Sequence, residues 1–346
     1  MKKVKRTSVF LLVFVVAFAM LVTGCGNGGP AAPVDPDWPA GWPTSVTITA
    51  GPMGGPWFPH MIIVSETLAR EIPQVSWTVI EGGGLGNIRR LQDGTDAQIG
   101  MAHIPVLGKA MDGTLEMEGW DLVVDNVRMG PSTSTSYVVA FTRDDNTAIQ
   151  SWADIRGSRF APGLATSGQI PLIIDILSMY DLSWEEIHRS GGRVEFVSYS
   201  EMVSLMQDRN LDVGIVSGDM PNAALMEMQA SFPVRLIEFE DHILDEMLLR
   251  FPYMIVRELS PERSQIATHT VPMQCIVLNG TIAFSGVLPD DFVYEVIRVI
   301  MEHSDEIRAQ HHGIINLSWD DAVSGGGIED RWMHPSFRQV MQSGPQ

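Results

Sequence analysis

The chain has 346 residues, 45% of them hydrophobic, which is too much apolar material for a disordered chain. At about 100–200 residues per domain, roughly two domains are expected. Lysine and arginine number 23 against 42 aspartates and glutamates, a net charge of −19 that argues against nucleic-acid binding, and two cysteines exclude a disulfide framework or a cysteine-built zinc site.

Lys2, Lys3, Lys5 and Arg6 precede an apolar run from Val9 to Val22, which ends at Val22-Thr23-Gly24-Cys25. A charged start, a short apolar stretch and small residues before a cut mark a secretory signal peptide. The run is short for a membrane-spanning helix, which needs about 20 apolar residues. The small residues leading into a cysteine resemble a bacterial lipobox. That implies cleavage after residue 24 and a diacylglyceryl thioether on Cys25. Loss of residues 1–24 removes four basic residues and no acid, leaving 19 against 42 and a net charge of −23. Residues 25–43, rich in Gly, Pro and Ala, read as a flexible tether.

Along the body, Val46–Thr49 alternates and predicts a strand. Ile62, Ile63, Leu68 and Ile72 suit a helix that ends before Pro73, and Val75–Ile80 predicts the next strand. A helix over Asn87–Gln92 and a strand over Gln98–Ala102 follow. Residues 131–137 are rich in hydroxyls, and Val138–Thr142 predicts a strand. Ser151–Asp154 reads as a capped short helix closed by Gly157. Next come a strand at Arg159–Ala161, a loop at Gly163–Gly168 and a helix at Ile170–Tyr180. Ser183–Glu186 has capping-box spacing. Strands at Val194–Val197 and Val213–Ser217 flank a helix at Glu201–Gln207. Val271 to Leu278 predicts a buried strand in which Cys275 is a small hydrophobe. Pro289 opens a helix with Phe292, Val293, Val296, Ile297 and Ile300 on one face, and Ser318–Asp321 caps a last short one. Strands alternating with helices predict an α/β fold with a largely parallel sheet.

Leu91–Gly100 closely parallels Met206–Ile215, each being a helix end, an acidic turn and a strand. Two copies of one unit about 115 residues apart suggest two lobes of similar topology.

Three glycine loops fall at strand-to-helix junctions: Gly51–Phe58, Gly82–Asn87 and Gly163–Gly168. Backbone amides at a helix amino end carry partial positive charge and attract carboxylates or phosphates. In open α/β sheets ligands sit outside the carboxyl ends of strands, where such loops lie. None of the three is a nucleotide fingerprint, and each is also explained as a tight turn. Trp57, Phe58 and Tyr137 are placed to cover a ligand held by the amides.

Catalytic patterns are thin. The nine histidines are His60, His103, His188, His242, His269, His303, His311, His312 and His334, and none forms a His-Glu-x-x-His pair. They read as solvated or core residues, so no metal site and no cofactor is expected. No Gly-x-Ser-x-Gly elbow is present.

From about residue 44 onward the chain resembles the substrate-binding subunits of tripartite ATP-independent periplasmic (TRAP) transporters, in the TAXI branch. The resemblance rests on Thr49–Pro59, Gly83–Leu91, Gly94–Gly100, Ser151–Gly157, Pro162–Gly168, Gly218–Asn222 and Leu288–Val296. The chain departs from that family's pattern at Gly84–Asn87, at Ala102–Ile104 and at Thr166–Gln169, where the family's polar ligand-facing residues are replaced. The resemblance implies a two-lobed periplasmic-binding-protein fold of type II-like α/β architecture, with a ligand cleft between lobes. Its lobes would be 44–137 plus 250–346, and 138–249. It implies capture of a small polar or anionic solute, of the carboxylate or amino acid class, by a monomer that docks on a permease of two integral subunits. The expected ligand-binding residues are Gly54, Gly55, Trp57, Phe58, Gly84, Leu85, Asn87, His103, Tyr137, Thr166, Ser167, Gly168, Gln169, Asp219 and Pro221. The protein is expected outside the cytoplasm, lipid-anchored to the cell membrane through Cys25, and not to be an enzyme. The alternatives are a sensor that presents ligand to a membrane receptor, or an extracytoplasmic enzyme with His103 as its base.

Overall fold

The computed structural model describes residues 38–345, apart from 52, 54, 116–121, 166 and 252–253. The signal peptide, Cys25, Gly54 and Thr166 therefore lie outside the described residues. All regular elements fall within the unit Gly41–Gln346.

The amino-terminal elements are β1 (Ser45–Thr49), α1 (Trp57–Glu71), β2 (Ser76–Ile80), α2 (Gly84–Asp93), β3 (Ile99–His103) and α3 (Ile104–Met111). A long strand, β4 (Val127–Arg143), leads to a 3-10 turn at Trp152–Gly157, β5 (Arg159–Ala161), α4 (Ile170–Ser178), α5 (Trp184–Arg189) and β6 (Arg193–Val194). Then come α6 (Tyr199–Gln207), β7 (Val213–Gly218), α7 (Ala223–Gln229), β8 (Val234–Ile237), α8 (Asp241–Arg250), β9 (Ile255–Leu259) and α9 (Pro261–Ser264). A second long strand, β10 (Met273–Ser285), precedes α10 (Asp290–Glu302), α11 (Ser304–Gln310), a 3-10 turn at Asp330–Trp332 and α12 (Pro335–Ser343).

The strands form one sheet in the order β2-β1-β3-β10-β4-β7-β5-β6, with β8 also pairing with β4 and β9 with β10. Read from either end the order is second, first, third, then a long antiparallel strand. The sheet is thus two copies of one topology, joined by β4 and β10. The sequence echo falls on equivalent places, the turns between α2 and β3 and between α6 and β7. The expectation of a largely parallel sheet is corrected to a mixed one. Parallel pairing is confined to β1 with β2 and β3, and to β5 with β6 and β7. The long strands run antiparallel to each other and to the triplets they join.

The long strands pass from one copy to the other at Tyr137 and Val277, which pair with each other. Tyr137–Phe141 of β4 then face β7, while His103 to Ile99 of β3 face Gly280–Phe284 of β10. Alternation along these strands feeds two cores, one on each face. Val138, Ala140, Ile215, Ile276 and Leu278 join one, with Trp152, Phe160 and Ile173. Tyr137, Val139, Phe141, Val216, Cys275 and Val277 join the other, with Met202, Met206 and Leu225. A period of two places alternate residues on opposite faces, and both faces are covered by helices.

Local signals place most helices. Ser183 accepts from Glu186 N–H, and Ser151 with Asp154 forms a capping box. Phe292, Val293, Val296, Ile297 and Ile300 of α10 are all fully buried. Ser318 accepts from Asp321 N–H at 3.0 Å as its spacing predicts, but the segment continues as turns through Gly327 and makes no regular helix. The strand expected over Val194–Val197 is the two-residue β6. Residues 131–137, given no element from their hydroxyl-rich sequence, are the middle of β4. Among the described residues, no helix is long and apolar enough to cross a membrane.

Candidate functional site

The three glycine loops all follow carboxyl ends of parallel strands. Residues 50–56 connect β1 to α1, 81–83 connect β2 to α2, and 162–169 connect β5 to α4. His103 ends β3 and caps α3, and Asp219 follows β7. These ends belong to both copies of the repeated unit, and they meet. A Cβ placed at Gly84 would lie 3.2 Å from Gly168 Cα, and one placed at Gly168 would lie 2.6 Å from His103 Cδ2. Glycine at 168 lets the third loop seat on this imidazole.

Trp57 completes the group. It is the first residue of α1, and its indole N–H donates to Ser134 Oγ at 3.2 Å. Its ring centre lies 4.4 Å from that of His103, tilted by 50°. His103 is 9% exposed, and its Nδ1 is buried with no hydrogen-bond partner. Burial lowers the pKa of this imidazole to about 3, so the ring is neutral at physiological pH. A neutral imidazole nitrogen with an unmet hydrogen bond beside an indole face is suited to a polar ligand group with an apolar side.

Other expected site residues have internal duties. The Asn87 amide donates to Ala50 O at 2.6 Å and Met101 O at 2.8 Å. Its Oδ1 accepts from Gly83 N–H at 3.0 Å and Thr49 Oγ1 at 2.7 Å. Gln169 donates to Pro162 O at 2.5 Å, and its Oε1 accepts from Tyr199 Oη at 2.9 Å. Tyr137 packs in the second core rather than beside Trp57, with its hydroxyl 3.4 Å from Glu258 O. Leu85 is buried, Gly55, Phe58 and Ser167 are half-buried, and Pro221 is exposed after a cis peptide bond. The Ser167 amide is spent on Leu164 O at 2.9 Å.

The hydroxyl cluster of β4 turns out to be internal wiring. Thr135 Oγ1 donates to Asn279 Oδ1 at 2.7 Å. Asn316 Nδ2 lies 3.0 Å from Thr135 Oγ1 and 3.2 Å from Ser132 Oγ. Asn279 Nδ2 donates to Gly325 O at 2.9 Å. The carboxyl-terminal segment is thereby fastened to the two long strands.

Asp219 meets two histidines that sequence spacing did not single out. Ligand atoms of His60, Asp219 and His311 all lie within 4.8 Å of one another. His60 is on α1, one turn past Trp57, and its Nε2 is 3.0 Å from His311 Nδ1. Burial, then His311 and His312, hold the His60 pKa down to about 3, and burial pushes the Asp219 carboxyl up. No local motif marks the pair, because 251 residues separate His60 from His311.

Cavities elsewhere do not involve these loops. One of about 450 Å³ is lined by Gln150, Arg235, Glu238, Phe239, Glu240 and His269 among others, and one of about 370 Å³ lies between Ala110 and Val124.

Among solved structures, the chain is similar to the alkanesulfonate-binding protein SsuA of Xanthomonas axonopodis pv. citri bound to MOPS. That match has 14% identity, covers 88% of this chain and 85% of that one, and has a TM-score of 0.47. An ancestral arginine-binding protein bound to arginine is 12% identical over 77% of this chain and 97% of that one, with a TM-score of 0.44. The aliphatic sulphonate binding protein SsuA of Escherichia coli is 12% identical over 77% and 73%, with a TM-score of 0.42. No curated protein matches the chain in sequence. The model of the NMT1-like family matches residues 48–334, which takes in the end of β1, both long strands and every loop of the site. The chain belongs to the NMT1-like family.

Proposed function

We propose that the chain is an extracytoplasmic solute-binding protein that takes a small polar or anionic solute between its two lobes and delivers it to a TRAP-type membrane permease. The observation that carries this reading is the meeting of Gly84, His103 and Gly168 across the two copies of the repeated unit, around an imidazole nitrogen with no partner. We take residues 44–136 with 278–345 as one lobe and 137–277 as the other. The second crossing is set later than residue 250 because β9 pairs with β10 and Leu259, Met273 and Cys275 share the core of β7. Trp57 covers the apolar side of the solute, and the loop amides near Gly84 hold its polar end. Cys25 carries a lipid that keeps the protein at the membrane.

Carriage is favoured over catalysis. The His103 imidazole beside Gly84 and Gly168 has a pKa of about 3 and is too weak a base for proton abstraction near neutral pH. The test is thermal unfolding of the protein against a library of carboxylates, amino acids, keto acids and sulfonates. A true solute at 100 times its Kd adds about 2.7 kcal/mol of stability. Trp57→Ala should remove the shift. A hit that leaves Trp57→Ala and wild type equally stabilised would contradict this site.

A further inference from the structure

We infer that His60, His311 and Asp219 form a site for one divalent first-row transition-metal ion of the zinc class, bridging the two lobes. The site lies beyond solute capture and does not depend on the identity of the solute. Two imidazoles and one carboxylate are a donor set for zinc, cobalt or nickel, whereas calcium and magnesium take oxygen ligands. The spacing fits. With metal–nitrogen distances of about 2.0–2.1 Å, two ligands of a tetrahedral ion stand about 3.3 Å apart. His60 Nε2 and His311 Nδ1 are 3.0 Å apart, and all three ligand atoms fall within 4.8 Å.

The surroundings leave the group short of a cation. His60 is 1% exposed. Asp219 Oδ2 is buried and accepts no hydrogen bond. A buried carboxylate oxygen with no donor is costly unless a positive charge meets it. The close approach is also built in at Gly313. A Cβ there would stand 1.9 Å from Asp219 Oδ2 and 3.0 Å from His60 Nε2, so only glycine lets the carboxylate reach the two rings. Gly313 N–H donates to His311 Nδ1 at 3.1 Å, and a bound ion replaces that hydrogen bond on the nitrogen's one lone pair.

The chain positions explain what the ion would do. His60 on α1 and His311 after α11 belong to one lobe, and Asp219 after β7 belongs to the other. An ion held by all three ties the lobes together one turn from Trp57. Three protein ligands leave a coordination position open, which an oxygen of water or of the solute fills.

The test is titration of the untagged, chelator-stripped protein with Co2+, read by visible absorption and by calorimetry. The site predicts one Co2+ per chain, intense bands of a low-coordinate ion, and displacement by Zn2+. His311→Gln and Asp219→Asn should each weaken binding by about tenfold or more while circular dichroism stays unchanged. His242→Gln, at an exposed position, should bind as wild type. A wild-type protein with no stoichiometric cobalt spectrum, or equal affinity in both ligand variants, would overturn the site. The solute screen run in chelator reads the cleft separately, so failure of either reading is visible without the other.

Discussion

Asn87 uses both amide hydrogens and its carbonyl oxygen to join the end of β1, the end of β3 and the second glycine loop. Removing it leaves buried partners unmet, each worth about 1–3 kcal/mol. Asn87→Ala should therefore cost about 3 kcal/mol in urea unfolding and displace Gly84. Cys275 is its counterpart among apolar residues. Burial first, and Glu238 second, push its thiol up to about 12. In a Cys25→Ser background the native protein at pH 8 should react with an aromatic disulfide reagent only as fast as it unfolds. Rapid labelling would show that the strand is not closed as described. The apolar run around Cys275 made its burial readable in the sequence. The duty of Asn87 was not readable, because a polar residue in a glycine loop looks the same whether it faces a ligand or a strand end.

Elements were most readable where period and caps agreed. The α10 face, the Ser151 and Ser183 caps and the turns of the internal echo all rest on contacts within a few residues. β4 shows the limit. Its Ser-Thr run is hydrophilic on paper, yet Ser132 to Thr135 are buried, because distant partners satisfy their hydroxyls: Asn279 and Asn316 meet Thr135 from 144 and 181 residues away, Gly280 O accepts from Ser132 and Thr133, and Trp57 donates to Ser134. Pairing at that separation leaves no local trace, and the same holds for His60 and His311. The starts of β5 and β7 are joined by a polar device as well. Arg159 meets Asp212 through Nη2 at 2.6 Å and Nε at 2.9 Å, and its backbone N–H donates to the same carboxylate at 2.9 Å. The Arg159 hydrogen bond holds the Asp212 carboxyl below the ordinary carboxylate range. A folded-state pKa below the unfolded one adds stability above the unfolded value of about 3.9, and that stability is lost as pH falls through the folded value. Asp212→Asn should cost about 1–2 kcal/mol at pH 7. In denaturant titrations the gap between variant and wild type should narrow as pH falls below the ordinary carboxylate range; an undiminished gap there would rule out the charge as its source.

At the scale of the whole molecule, two copies of one α/β unit share a sheet through β4 and β10, and the loops at their strand ends meet. Any relative motion of the copies must pass through the two long strands, whose pairing shifts register between Gly280 and Ala283. A solute that contacts loops of both copies favours the arrangement in which Gly84 and Gly168 are close. The most direct measurement is a spin-label distance distribution between Glu66→Cys on α1 and Ser204→Cys on α6, both exposed, in a Cys25→Ser background with Cys275 buried. The account predicts a broad distribution for the free protein that becomes shorter and narrower at saturating solute from the thermal screen. An identical distribution with and without saturating solute would contradict a cleft that closes on its ligand.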